Sequence, residues 1–319
     1  MKESVRKILL ASGACAVGFA KAGSIDETAD ILYRNWIKEG NHGGMNYLER
    51  HIILRRNTDY ILANAKTVIS LAFSYASENY EKQSTPLIAS YAYGEDYHLV
   101  IKEILQPLIV DLKKEFGGNW RICIDSAPVA ERFWALKAGI GKLGRNGAVI
   151  VKDYGSKCFL AEILTTIEIE ADKESTESCE NCGKCVQACP TGALKEYAQI
   201  DSRQCLSYLT IEKKGDFDEK EIQIIKTLSE KDICIFGCDK CISVCPHNQK
   251  INNKTIDKFQ PLAQIGNLTP EKILNMSEKE FSNIFKTSPL KRAKLQGLQR
   301  NIRLIECIKN QDKTNYNNR

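Results

Sequence analysis

Histidine is scarce in this chain, with four residues in 319, at His42, His51, His98 and His247. That argues against a histidine-rich metal site. Long apolar runs are also missing. No stretch approaches the roughly 18 uninterrupted apolar residues of a membrane span. No G-x-x-x-x-G-K-[ST] loop is present to cradle a nucleotide phosphate. The segment Gly139-Ile-Gly141-Lys-Leu-Gly144 matches G-x-G-x-x-G by letter, but it follows a helical pattern rather than a strand, so a dinucleotide fold is weakly supported. Charge of one sign is not in large excess. The formal net charge is +5, which is compatible with an anionic partner and does not demand one. A secretory leader is not expected, because the N-terminus carries Glu3, its apolar run is short, and Lys21 follows soon. The segment reads as an amphipathic helix of a cytoplasmic protein.

Cysteine, by contrast, is abundant, with 13 residues. Without a secretory signal, clustered short spacings point to metal ligation rather than disulfides. The first run is Cys179, Cys182, Cys185 and Cys189 followed by Pro190, which is the C-x2-C-x2-C-x3-C-P pattern of two-cluster ferredoxins. The second is Cys234, Cys238, Cys241 and Cys245 followed by Pro246. In such pairs the fourth cysteine of each run ligates the other cluster. The spacing therefore predicts two [4Fe–4S] clusters. One takes Cys179, Cys182, Cys185 and Cys245. The other takes Cys189, Cys238 and Cys241 with a fourth ligand that is either Cys234, one residue out of the standard spacing, or the isolated Cys205. Four-cysteine zinc sites are the competing reading, and the Cys-Pro dipeptides oppose it.

Strand-like and helical patterns alternate over residues 1–170, predicting an α+β (α/β-like) domain. Residues 1–40 read as helices. Thr67–Tyr75 and Trp120–Ile124 read as strands, Asp96–Phe116 as a long helix stopped by Gly117-Gly118, and Cys158–Ile169 as a further strand. A ferredoxin-like domain is expected over 171–250. A short helical, basic region is expected over 251–319, with charged helix between the two cysteine runs at 212–232. From Phe281 to Ile305 there is no acid, while Lys286, Lys291, Arg292, Lys294, Arg300 and Arg303 are present. That strip reads either as a solvated helix face or as a phosphate-contacting surface. Asp125 stands just beyond a strand end, before Ser126-Ala127-Pro128. It could serve proton transfer, or simply close an Asx turn. Asp96, at the head of Asp96-Tyr97-His98, reads as a helix N-cap.

Five stretches together resemble the epoxyqueuosine reductase family, the cobalamin-dependent iron–sulfur enzymes that complete queuosine in tRNA. They are Gly44-Met-Asn-Tyr-Leu48, Asp96-Tyr-His98, Asp125 to Arg132, Ala138 to Asn146, and Cys205-Leu-Ser-Tyr-Leu-Thr-Ile-Glu212 leading to Gly237-Cys-Asp-Lys-Cys241. The resemblance spans about residues 1–305. It implies base-off cobalamin in the large domain, Cys205 as the last cluster ligand with Cys234 left free, and Asp125 as proton donor. By position it also implies cofactor contacts from Arg55, Asp125, Ser156, Ser207 and Asp239. The absence of a D-x-H-x-x-G motif agrees with base-off binding without a protein imidazole. The chain departs from the family pattern at His247, where tryptophan is usual, and at Leu143, where an aromatic is usual. Many members also continue into HEAT-type repeats, whereas this chain stops soon after Arg303.

The implied chemistry is reduction of the epoxide of epoxyqueuosine to queuosine at the wobble position of a tRNA with a GUN anticodon. Electrons would arrive singly from a ferredoxin or flavodoxin, the chain would act as a monomer, and desolvation in a corrin-covered pocket would keep the Asp125 carboxyl protonated near neutrality. Two other readings share the cysteine pattern: a reductive dehalogenase-like corrinoid enzyme, against which the lack of a twin-arginine leader counts, and a non-catalytic electron-transfer module.

Overall fold

The computed structural model describes residues 1–77, 88–180, 182–195, 198–229, 234–249, 251–252 and 254–317, with side chains up to 306. In chain order the first part holds α1 (Lys2–Ala11), β1 (Ala16–Lys21), α2 (Glu27–Lys38), α3 (Asn46–Arg50), α4 (Ile52–Arg56), β2 (Thr67–Ser74), α5 (Tyr97–Phe116), β3 (Trp120–Cys123), α6 (Glu131–Lys137), β4 (Gly141–Leu143), β5 (Val149–Val151) and β6 (Cys158–Thr165). Then come α7 (Lys184–Gln187), a π-helical turn (Tyr208–Glu212), α8 (Glu219–Lys226) and α9 (Lys240–Ser243). The C-terminal part holds α10 (Ala263–Gly266), α11 (Pro270–Leu274), α12 (Glu278–Ile284) and α13 (Lys294–Asn317).

Strands β1, β2, β6 and β3 form one antiparallel sheet in that order, and β4 pairs with β5 as a hairpin. The architecture is therefore α+β, with the expected strands at Thr67 and Trp120. Strand β2 is buried at every residue because both faces of the sheet are covered. Ile69, Leu71 and Phe73 pack with α1 and α5, while Val68 and Ala72 pack with Trp134 and Ala135 of α6. Helix α1 contributes Val5 and Leu9, four residues apart on one face.

The reading of residues 1–40 as helices alone is corrected by β1. Its glycine hides the strand pattern: a Cβ on Gly18 would sit 2.0 Å from the carbonyl oxygen of Ala138, so no side chain can mark that position. The expected long helix between the cysteine runs is also shorter. Only Glu219–Lys226 is helical, capped by Asp218 in a capping box, and 230–233 lie outside the described residues. A separate apolar core joins Ile88, Ala92 and Tyr93 to Phe236 and to Phe281, Phe285 and Leu298 of the C-terminal helices. This core fixes the segment before α5 against the cysteine-bearing loops.

Candidate active site

The cysteines gather into two groups. Cys245 lies within electrostatic reach of Cys185, Cys182 and Cys179, and these residues line one cavity with Gly144, Arg145, Asn146 and His247. Cys241 lies within reach of Cys238, Cys205 and Cys189, and Cys238 likewise of Cys205 and Cys189. Each group draws one cysteine from the opposite run, as the ferredoxin spacing requires. Burial, followed by the neighbouring sulfurs, pushes the Cys241 thiol up to about 12 and the Cys238 thiol to about 11. Unligated thiols so placed stay protonated, and a bound cation is what would ionise them. Cys234 lies within electrostatic reach of Tyr93.

Cys205 reaches the second group because its segment is clamped. The turn that follows it is π-helical, and the Thr210 hydroxyl accepts from the backbone N–H of Gly237, 2.9 Å away and one residue before Cys238. Asn301 of α13 donates to the carbonyls of Thr210 and Ile235 at 2.9 and 2.8 Å, tying both strands of the clamp together. On the other side the Tyr208 hydroxyl accepts from the N–H of Gly44 at 2.6 Å. A Cβ on Gly43 would meet the Tyr208 ring at 2.6 Å, which explains the glycine pair before Met45. The glycine-rich loop of 139–147 also serves the cysteines. The Arg145 N–H donates to Sγ of Cys179 at 3.3 Å, and Asn146 donates to the carbonyl of Cys241 at 3.4 Å.

Asp125 lies two residues beyond β3 with a backbone φ of +42°, in the left-handed region that aspartate adopts more readily than most side chains. Its N–H donates to Oε1 of Glu131 at 2.6 Å. Its Oδ2 accepts from the Tyr97 hydroxyl at 2.8 Å and lies 3.0 Å from Nε2 of His98. The other ring nitrogen of His98, Nδ1, is 2.7 Å from Oδ1 of Asp96, and Oδ2 of Asp96 pairs with Nζ of Lys291 at 2.8 Å. Asp96 is also the N-cap of α5, as expected, accepting from the His98 N–H. The His98 ring stacks on Tyr97, and Tyr97 on Phe159, at centroid distances of 4.0 and 4.2 Å.

These contacts act on the charge of Asp125 in the opposite sense to the desolvation expected of a corrin-covered pocket. Burial pushes its carboxyl up, but the hydrogen bonds from His98 and Tyr97 outweigh that and hold it below the ordinary carboxylate range. The Asp125 side chain is 56% exposed, so water at the pocket mouth offsets part of the burial. Burial lowers His98, and its bonds to Asp125 and Asp96 raise it further, to about 9. Burial raises the Glu131 carboxyl to about 8, with Asp125 as the next cause.

Of the other expected residues, Arg55 donates to the carbonyl of Val129 at 3.1 Å and leaves its buried Nε without a partner; its charge helps to lower Asp125. Asp239 accepts from the N–H of Ser90 at 2.6 Å, and burial raises its carboxyl. Ser156 is buried and tied to Asn248: its N–H donates at 2.7 Å and its hydroxyl accepts at 3.0 Å. Ser207 caps the π-helical turn, two residues beyond Cys205. Tyr91 links the two groups of residues, with its ring 6.5 Å from that of Tyr97 and 6.1 Å from that of Phe236, and burial raises its hydroxyl. Tyr91, Tyr97, His98 and Glu131 escaped the sequence reading as site residues; only the Asp-Tyr-His trio before a helix could have signalled two of them.

A family model described as a 4Fe-4S double cluster binding domain matches residues 178–248, and one described as Epoxyqueuosine reductase QueG, DUF1730 matches 55–126. A curated epoxyqueuosine reductase from Cyclobacterium marinum is 38% identical over 312 residues, covering 95% of this chain and 96% of its own length. The chain belongs to the epoxyqueuosine reductase family. The solved epoxyqueuosine reductase of Streptococcus thermophilus superposes with a TM-score of 0.81 at 30% identity, over 97% of this chain and 81% of that one. A second epoxyqueuosine reductase structure, with an epoxyqueuosine-modified tRNA-Tyr stem loop, gives 0.83 at 26% identity, over 95% of this chain and 80% of that one. The matched 4Fe-4S domain is of the double-cluster type, and the chain is an oxidoreductase. No helix among the described residues is long and apolar enough to cross a membrane.

Proposed function

We propose that this chain reduces epoxyqueuosine to queuosine at the wobble position of a GUN-anticodon tRNA. One observation carries the reading: the Tyr91 ring packs against Tyr97, whose hydroxyl donates to Asp125, and against Phe236, two residues before Cys238, with ring centroids 6.5 and 6.1 Å apart, so the candidate acid and a cysteine group are joined through one aromatic residue. Cys179, Cys182, Cys185 and Cys245 would hold one [4Fe–4S] cluster, and Cys189, Cys205, Cys238 and Cys241 the other. The division into a catalytic part (1–170), a cluster part (171–250) and a helical part (251–319) belongs to the same proposal.

The pocket suits a large polar cofactor. The orphaned, buried Nε of Arg55 needs an acceptor, and Ser207 and Asp239 stand beside the second cysteine group. Base-off cobalamin would be held there by Arg55, Ser156, Ser207 and Asp239, and when bound it supplies a strongly reducing cobalt centre fed one electron at a time. The protein's own part is acid chemistry and positioning. Asp125 stands at the open mouth and hands a proton to the epoxide oxygen. Glu131 fixes the turn by accepting from the Asp125 N–H, and the Asp125 carboxyl is left more than half exposed. A splayed nucleotide would enter over the aromatic wall of Tyr91 and Tyr97.

The remaining features of the proposal are a ferredoxin or flavodoxin donor, a monomeric state and a cytoplasmic setting. Full-length relatives in the epoxyqueuosine reductase family favour this reading over a dehalogenase or an electron-transfer module. Anaerobic reconstitution with iron, sulfide, cobalamin and a chemical reductant, followed by mass analysis of nucleosides from epoxyqueuosine-containing tRNA, tests it. Appearance of queuosine supports it, and an unchanged epoxide with cofactors bound rejects it.

A further inference from the structure

Converting an epoxide to an alkene breaks both C–O bonds, forms one C=C bond, takes up two electrons and releases the oxygen as water with two protons. Under the function proposed above, on which this inference rests, the electrons come from a one-electron carrier protein through the clusters. Asp125, the proposed donor, can carry only one proton at a time, so it has to be reloaded within the reaction.

We propose that His98 stands behind Asp125 as its proton source, loading that carboxyl through Nε2 for each of the two protons, with Asp96 and Lys291 as the positioning residues. The geometry forms one line: Lys291 Nζ to Asp96 at 2.8 Å, Asp96 to Nδ1 of His98 at 2.7 Å, and Nε2 of His98 to Asp125 at 3.0 Å. Asp96 is buried, with its side chain 5% exposed, while the His98 side chain is 35% exposed. The inner carboxylate thus fixes the proton on Nδ1 and aims Nε2 at Asp125, and Nε2 is recharged by the water that reaches the exposed Asp125 carboxyl beside it. Each cycle moves a proton from Nε2 to Oδ2 of Asp125 and from Asp125 to the substrate oxygen, after which Nε2 takes a new proton from solvent. Two cycles close the balance.

The charged groups around the pair are consistent with this. Burial alone would neutralise His98; Asp125 and Asp96 override it, so the imidazolium persists through neutral pH. Asp96 itself is held at about 2, since bonds from His98 and Lys291 outweigh its burial. Arg55 bears on Asp125 from α4 and Glu131 from α6, while Tyr97 donates to the same Oδ2 that faces His98.

Two measurements test the proposal. In the unloaded full-length protein, nitrogen NMR of the histidine ring is expected to show His98 doubly protonated at pH 7.5, with its titration moved down in Asp125→Asn; a neutral ring at that pH overturns the proposal. In the reconstituted enzyme, His98→Ala is expected to turn over at least ~10-fold more slowly, within the range for a lost acid–base group, with unchanged iron and corrin content. Added imidazole should restore turnover in proportion to its imidazolium form. Wild-type turnover by His98→Ala, or a loss that imidazole does not relieve at any pH, overturns it. If the wild-type enzyme itself fails to convert the epoxide, the functional reading fails, and the ring titration still decides whether the pairing exists.

Discussion

Nε2 of His98 lies 3.0 Å from Oδ2 of Asp125, across 27 residues of sequence. On the proposed mechanism the two groups share one proton, and the acid of the site is the pair rather than the aspartate alone.

The pairing has a pH signature in stability. His98 is raised from 6.5 to about 9, so its contribution is complete below 6.5 and disappears as pH rises through about 9. Asp125 is lowered from 3.8, so its contribution is present above that value and is lost in stronger acid. Wild type should therefore exceed His98→Gln in denaturation midpoint most clearly between pH 4 and 6.5. Because a third of the ring faces water, the difference is about 1 kcal/mol. Urea melts of both proteins across pH 4–10 measure it, and a pH-independent difference would contradict the pairing.

The asymmetric use of cysteines can be checked by iron content. Cys205→Ala should bind about half the iron of wild type after reconstitution, since one four-thiolate cage loses a corner. Cys234→Ala should bind the wild-type amount. Paramagnetic resonance of the reduced proteins would show which cluster is lost.

The basic strip divides into two classes. Arg300 donates to the carbonyls of Leu209, Lys213 and Gly215 and stacks on Phe217 at 4.1 Å, while Arg292 forms a two-pronged ion pair with Glu212. Arg300→Ala should cost about 2–4 kcal/mol of stability because it leaves charge-assisted bonds unmade. Lys286, Lys294 and Arg303 are exposed. Alanine at each should leave the melt unchanged and lower the salt slope of tRNA binding by about 1. Equal effects from all the basic residues would contradict the division.

Some of this was legible in the sequence. Cysteine spacing reports ligand sets directly because a cluster loop is local. Asp125 was visible because a strand ended just before it. The rest depends on contacts far apart in the chain. Whether Cys205 or Cys234 completes the second group turns on Thr210 and Gly237 meeting across 27 residues. The sign of the Asp125 shift turns on His98, which no local pattern joins to it. Strand β1 was lost because Gly18 must be bare where Ala138 passes. The strip from 286 to 303 looked uniform because sequence shows charge and not its partner; Glu212, the partner of Arg292, is 80 residues away.

The central claim is that Asp125 is the group through which the reduction receives its protons. The direct test is single-turnover conversion of an epoxyqueuosine-containing anticodon stem loop by reconstituted wild type and Asp125→Asn, with iron, corrin and RNA binding measured on the same samples. The account predicts equal cofactor and RNA binding in the two proteins and a rate for Asp125→Asn lower by ~100-fold or more. An Asp125→Asn enzyme that binds everything and forms queuosine at the wild-type rate would contradict it.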